Sequence, residues 1–310
     1  KSGQSEIKAS VFIDATGDGD VAYLAGAEYE IGNEEQQVQP MTMKFRMKGV
    51  RLQEVKQYMK KHPDQFYEKS MISELDHLPL TSVMGFYDKW KEGKLPIPRE
   101  GVLFFTGPRE DEVLVNISRV TGLDPTKVDQ LTRGEIAGRK QVMELEMFFR
   151  DYIPGFKDAY VSQMGTQIGV RESRRIKGEY TLTGEDVLDA RRFDDVIARS
   201  GYPIDIHNPE GKGITANFIK EGGVYDIPYR SLVPKGMPNL LMAGRCISTT
   251  HEAQATIRLT PSAMAMGQAA GTAAAIAAKG NYRTADVPIS QLHEKLLAGH
   301  ANLGFNFTKK

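Results

Sequence analysis

Residues 41–48 alternate. Met41, Met43, Phe45 and Met47 fall on one side of an extended chain, and Thr42, Lys44, Arg46 and Lys48 on the other. A period of two is what a half-buried strand requires. Upstream, residues 8–14 form an apolar run that predicts a buried strand feeding a glycine turn. A short helix from about Asp20 to Ala25 follows, with Gly26 placed to end it. The apolar runs 102–105 and 113–118 predict two more strands, and residues 51–95 are charged and helical in character. Asp124 and Pro125 are suited to be N-cap and first residue of a long helix. Its stripe would be Val128, Leu131, Ile136, Val142 and Leu145, and Pro154 would stop it.

Beyond that helix, "GVRESRRIKGEYTLT" is basic and strand-like. Thr183 and Asp186, three apart, make a capping box for a short helix. Residues 196–233 are rich in glycine and proline and predict strands joined by loops. "NLLMAG" (239–244) predicts a buried strand ending in glycine, and Thr260-Pro261 opens an alanine-rich helix over 261–278 that Gly280 ends. Strands alternating with helices place the chain in the α/β class, with α+β character in the middle segment.

Composition narrows the function classes. Forty basic residues balance forty acidic ones among 310, so no net field draws in nucleic acid or anionic membrane. The most apolar run, "SAMAMGQAAGTAAAIAAKG", is mostly alanine and interrupted by Gln268, Thr272 and two glycines, short of a membrane span. The single cysteine, Cys246, excludes an intramolecular disulfide and a zinc cluster and reads as a buried thiol. "KSGQSEIKAS" lacks the apolar core of a secretory signal, which favours a cytoplasmic location unless a preceding segment carries one.

The turn Asp14-Ala15-Thr16-Gly17-Asp18-Gly19-Asp20 admits several chemistries. Asp14, Thr16, Asp18 and Gly19 match the first positions of a calcium loop, but the twelfth, which needs a bidentate glutamate, is Ala25. Gly17 to Ala22 matches G-x-G-x-x-A, yet Asp18 and Asp20 would stand where a pyrophosphate lies, and Gly26 cuts the helix short. Two possibilities stay open. One is a tight turn beside a cofactor bound elsewhere, where Thr16 and Gly17 allow close approach and an acid faces a ribose hydroxyl. The other is a plain strand-turn-helix capped by Asp18 or Asp20.

The segment "YDIPYRSLVPKGMPNLLMAGRCISTTHEAQATIRLTPSAMAMGQAAGTAAAIA" resembles the C-terminal flavin-binding part of FAD-dependent oxidoreductases with a two-dinucleotide-binding-domain architecture. The group it resembles is a set of bacterial proteins often labelled xanthan lyases, more distantly akin to fumarate reductase flavoproteins. "VFIDATGDGDVAYLAGA" is similar to that family's internal ATG motif, and "VRESRRIKGEYTLT" to its middle segment.

The resemblance implies FAD as cofactor and a small-molecule substrate. It divides the chain into a flavin-binding domain (1–30 and 230–285), a mixed-sheet substrate domain (31–229) and a C-terminal extension (286–310). The family's N-terminal G-x-G-x-x-G unit is not found, so the chain is expected to be a fragment holding FAD weakly or not at all. The implied cofactor contacts are Thr16, Gly17, Asp18, Gly244, Arg245 and the helix start Pro261, Ser262, Ala263 and Met264. That end carries a partial positive charge of roughly half an electron and would face the N1–C2=O2 edge of the flavin. Gly267 and Gly271 would let the helix press against the sheet or the cofactor.

In such a protein the flavin does the redox chemistry, and side chains orient substrate and move protons. His251 and Arg258, expected in the loop before the helix, are the proton-handling and anion-holding candidates. The alternatives are a backbone-bonded histidine and a surface ion pair with Glu252. Arg171 and Arg175 would share one strand face and could line an anionic site, or simply be solvated. His207, Tyr225 and Tyr229 fall in loops that could border a substrate, whereas His62, His77, His293 and His300 read as surface residues. The competing functions are a polysaccharide lyase and a non-catalytic binding fragment.

Overall fold

The computed structural model describes residue 3, residues 5–211 and residues 213–305. The chain forms two compact units. One comprises the residues up to Val38, Glu172–Ile206 and those from Ile214 onward; the other comprises Gln39–Arg171 and His207–Gly213.

In the first unit the strand Phe12–Asp14 runs parallel to Leu240–Met242, with Ile13 opposite Leu241 and Asp14 opposite Met242. Leu240, Leu241 and Met242 are all buried, as a parallel strand covered on both faces demands. The partner strand is shorter than residues 8–14 predict, and its Phe12 and Ile13 are 38% and 40% exposed rather than buried. Tyr29–Ile31 pairs antiparallel with Arg174–Ile176, and Tyr225–Pro228 with Val196–Ser200. The long helix Thr260–Gly280 buries Met266, Ala269, Ala270, Ala273 and Ala277 in the same apolar core as Ile227, Leu241 and Ile247. Asn281, in the left-handed region at φ 52°, closes this helix in place of Gly280. Tyr225 and Tyr229 belong to this core and lie in a strand and a 3-10 turn, not in loops: their hydroxyls bond the Thr256 hydroxyl and the Thr284 carbonyl. His293 is likewise buried, its Nε2 2.9 Å from the Val196 carbonyl, not on the surface. The final residues of the expected extension, 306–310, lie outside the described residues.

The second unit holds a five-stranded antiparallel sheet in the order Ser82–Gly85, Val102–Thr106, Val113–Val115, Phe45–Lys48, Tyr160–Met164. The alternation of residues 41–48 is realised: Met41, Met43, Phe45 and Met47 are buried, each stabilising by about 1.5–3 kcal/mol. Thr42 departs from it because its hydroxyl donates inward to the Ser118 carbonyl. Against the sheet lies the helix Val128–Tyr152. It starts later than expected, since Asp124 spends its carboxylate on a turn, accepting from the Thr126 N–H and hydroxyl. Val128 and Ile136 are 82% and 65% exposed, so the expected stripe fails at those two positions, while Leu131 is half-buried against the core. The buried face there is Gly134 and Gly138, against Met41, Met43 and Ile168. No helix among the described residues is long and apolar enough to cross a membrane.

Candidate functional site

The acidic turn is built around Asp14, which is fully buried. Its Oδ1 accepts from the Thr16 N–H at 3.0 Å and the Thr16 hydroxyl at 2.7 Å, and its Oδ2 from the Ala22 N–H at 2.9 Å. The Thr16 Oγ1 accepts in turn from the Asp20 N–H at 3.0 Å. The start of the helix Asp20–Leu24 is thus satisfied by Asp14 and Thr16. Gly19 is its N-cap, and neither Asp18 nor Asp20 caps it, contrary to the expectation from sequence. Asp18 accepts from Arg245 and Asp20 from Arg174, each at 2.7 Å. Gly17 has φ 79°, and a Cβ there would fall 2.4 Å from the Arg245 guanidinium. Its smallness therefore admits that arginine.

Strands Phe12–Asp14 and Leu240–Met242 run parallel, so Thr16–Asp18 and Gly244–Arg245 leave the same end of the pair. In open α/β sheets, ligands bind outside the carboxyl ends of the strands. Gly244 has φ 97°, and no atom lies within 4 Å of where its Cβ would be. The Arg245 Nε is buried without a hydrogen-bond partner.

A second cluster surrounds Glu172, which has no exposed surface. Its Oε1 accepts from Arg175 Nη1 at 2.6 Å and lies 2.8 Å from His251 Nδ1. An ionised carboxylate only accepts, so Nδ1 carries the hydrogen, and the tautomer leaves Nε2 with its lone pair. Arg175 is held further by the Thr249 carbonyl at 3.0 Å and the Gly32 carbonyl at 2.9 Å. Its donors are spent inside the unit, where it serves as counterion to Glu172. Arg171 does not join it. Only Arg174–Ile176 is strand, and the Arg171 guanidinium donates to the Pro40 carbonyl and the Thr42 hydroxyl within the second unit. His207 also belongs to that second unit, buried with Nδ1 2.9 Å from Arg119.

His251 and Arg258 are not in a loop. The hydroxyl of Thr250 accepts from the Ala253 N–H and opens a helix, His251–Ile257, for which Arg258 is the C-cap. The Arg258 Nε and the Thr249 hydroxyl are buried without hydrogen-bond partners. One residue further, Leu259 is the N-cap of Thr260–Gly280 and, having no polar side chain, offers no capping acceptor. The first N–H groups of that helix, which lack intrahelical partners, are therefore met by no capping side chain. Ser262 is buried, Ala263 half-buried, and Pro261 and Met264 exposed. Gly267 and Gly271 press against no sheet: a Cβ at either would have nothing within 4 Å. Among the described residues no group of His, Cys, Asp or Glu is arranged to hold a metal.

Neither Glu172 nor Thr249 is among the candidates the sequence singles out. A carboxylate flanked by Arg171, Arg174 and Arg175 is the signal that could have marked Glu172, because a buried acid needs a cation close by.

A mixed α/β chain with a charged cluster in its interior is a frame for enzyme chemistry. The family model described as FAD dependent oxidoreductase matches residues 1–296. The chain belongs to that family and is an oxidoreductase. No curated protein and no solved structure matches it.

Proposed function

We propose that this oxidoreductase transfers a hydride between a small organic substrate and FAD, with the first unit as the flavin-binding part. The observation that carries this is the Glu172–His251 pair, a buried carboxylate fixing an imidazole tautomer, in the segment that leads into an uncapped 21-residue helix. The residues fit a flavin dinucleotide. Gly244 offers open backbone at the carboxyl end of a parallel strand, the Arg245 Nε is a buried donor without a partner, and the helix start offers its positive end with the Ser262 N–H, since Pro261 has no N–H and that of Ala263 bonds the Leu259 carbonyl.

Of the contacts implied by the family, Thr16, Gly17 and Asp18 set the position of Arg245. Gly244, Arg245 and residues 261–264 are the groups that would hold the cofactor. Bound flavin supplies the hydride acceptor or donor. His251 Nε2 takes or returns the substrate proton, and Glu172 stabilises the imidazolium so formed.

The test is purification of the full-length gene product, with its absorbance spectrum recorded before and after saturation with FAD. Flavin bands that bleach on anaerobic addition of substrate support the proposal. Oligosaccharide cleavage without flavin, or no uptake of FAD, overturns it.

A further inference from the structure

Arg258 is a charge that the first unit leaves incompletely partnered. Its guanidinium makes one long hydrogen bond, Nη2 to the Asp205 carbonyl at 3.4 Å, while Nε is buried with no partner. Burial pulls its pKa below the ordinary arginine value, against the upward pull of Asp205, Tyr202 and Glu172. Arg258 is half-buried, and a donor buried without a partner, as its Nε is, is costly unless something completes it. Arg175 and Arg174 are completed within the chain, by Glu172 and by Asp20, while Arg245 meets Asp18 but keeps its own Nε without a partner.

The position is as informative as the vacancy. His251 and Arg258 are seven residues apart, at the start and the C-cap of one helix, and Arg258 keeps right-handed dihedrals at φ −70° and ψ −2°. Seven residues are two turns, so both stand on one helix face, about 10 Å apart along the axis. Glu172 acts on both, by hydrogen bond to His251 and through its field on Arg258. A proton-handling group and an anion-holding fork on one face suit a molecule with its anionic group a few bonds from its reacting carbon.

We infer that the substrate carries a carboxylate and that Arg258 holds it through Nε and a terminal nitrogen. The planar fork with parallel N–H groups matches a carboxylate better than it matches a compact neutral group. The role assigned to His251 rests on the proposed function; the anion site itself does not.

The experiment labels the full-length protein, with its flavin, with ¹⁵N-arginine and follows the Nε–H signals by NMR, identifying that of Arg258 with Arg258→Lys. The probes are acetate against acetamide and benzoate against benzamide, with chloride and inorganic phosphate at matched ionic strength. The expected result is a saturable shift with both carboxylates, none with the amides, and at least tenfold weaker carboxylate binding by Arg258→Lys in calorimetry. Equal response to acid and amide, or a larger response to phosphate, overturns the assignment. The acid–amide contrast is read calorimetrically on the wild-type chain, so it decides the matter even where the variant does not fold. A carboxylate response in a protein that takes up no FAD would sink the hydride-transfer proposal alone. Flavin reduction with an unmoved Arg258 would sink this inference alone.

Discussion

His251 Nδ1 lies 2.8 Å from the Oε1 of Glu172, a carboxylate with no exposed surface. The same oxygen accepts from Arg175, so one buried charge both orients the imidazole and neutralises the arginine. Glu172→Gln keeps the shape and removes the charge. It leaves Arg175 buried without its counterion, a loss on the order of 3–5 kcal/mol. Chemical denaturation should show that loss. In the protein that still folds, kcat should fall with KM little changed, and the ¹⁵N signals of the His251 ring should report a mixture of tautomers. An unchanged ring spectrum would show that Glu172 has no positioning role.

Replacing the imidazole separates chemistry from binding. His251 makes one hydrogen bond through its ring, to Glu172, and none of the groups assigned to the cofactor depends on it. His251→Gln should lower the rate of flavin reduction by about 10²–10⁴ while the flavin content of the purified protein stays at the wild-type level. A parallel loss of flavin would move His251 from proton handling to cofactor retention.

Asp14 gives a prediction about stability. Both of its oxygens accept, from Thr16 and from the Ala22 N–H. Asparagine has one acceptor oxygen, so Asp14→Asn points an amide N–H₂ at one of these donors. An unsatisfied buried group costs about 1–3 kcal/mol, and the turn that places Asp18 against Arg245 loosens with it. The expected outcome is a lower melting temperature. Asp18→Asn, partly exposed and outside the buried network, should be closer to wild type in the same measurement.

How far the sequence reaches is clearest where its signals are local. The 41–48 alternation and the Thr183–Asp186 box depend on neighbours a few residues away, and both appear in the fold, the box with bonds of 3.0 and 3.1 Å. The buried face of Val128–Tyr152 was not legible. Gly134 and Gly138 carry no hydrophobic signal, yet a Cβ at Gly134 would meet Met41 Cε at 2.6 Å, and one at Gly138 would meet Met43 Cβ at 3.1 Å. Small size is selected there by the sheet, which a linear pattern does not contain. The candidate site divides the same way. His251 and Arg258 stood out as charges beside a glycine-ended strand. Glu172 lies 79 residues from its histidine, and a partner at that distance leaves no local period. Arg171 and Arg175 share a face only if the chain is extended throughout, and residues 171–173 are not strand.

Cys246 gives the pH dependence. Burial pushes its thiol up from 9.0 to about 12. In the unfolded chain the thiol ionises near its ordinary value, while the folded chain keeps the proton to much higher pH. Between those values the folded state binds more protons, so this contribution is complete below pH 9 and is lost as pH rises toward 12. The slope is bounded by about 1.4 kcal/mol per pH unit. Tyr180, pushed up by burial from 10.0 to about 12, and Tyr58, Tyr87, Tyr202, Tyr225 and Tyr229, raised by burial as well, add losses of the same sign centred higher in pH. These are common to wild type and a Cys246 variant, so the difference between the two over the interval from pH 9 to 10 isolates the thiol. Urea unfolding across it should show stability falling more steeply for wild type than for Cys246→Ala, whose cavity lowers the curve without tilting it. Parallel curves would mean that the thiol ionises as easily folded as unfolded, and the burial argument for this residue would fail.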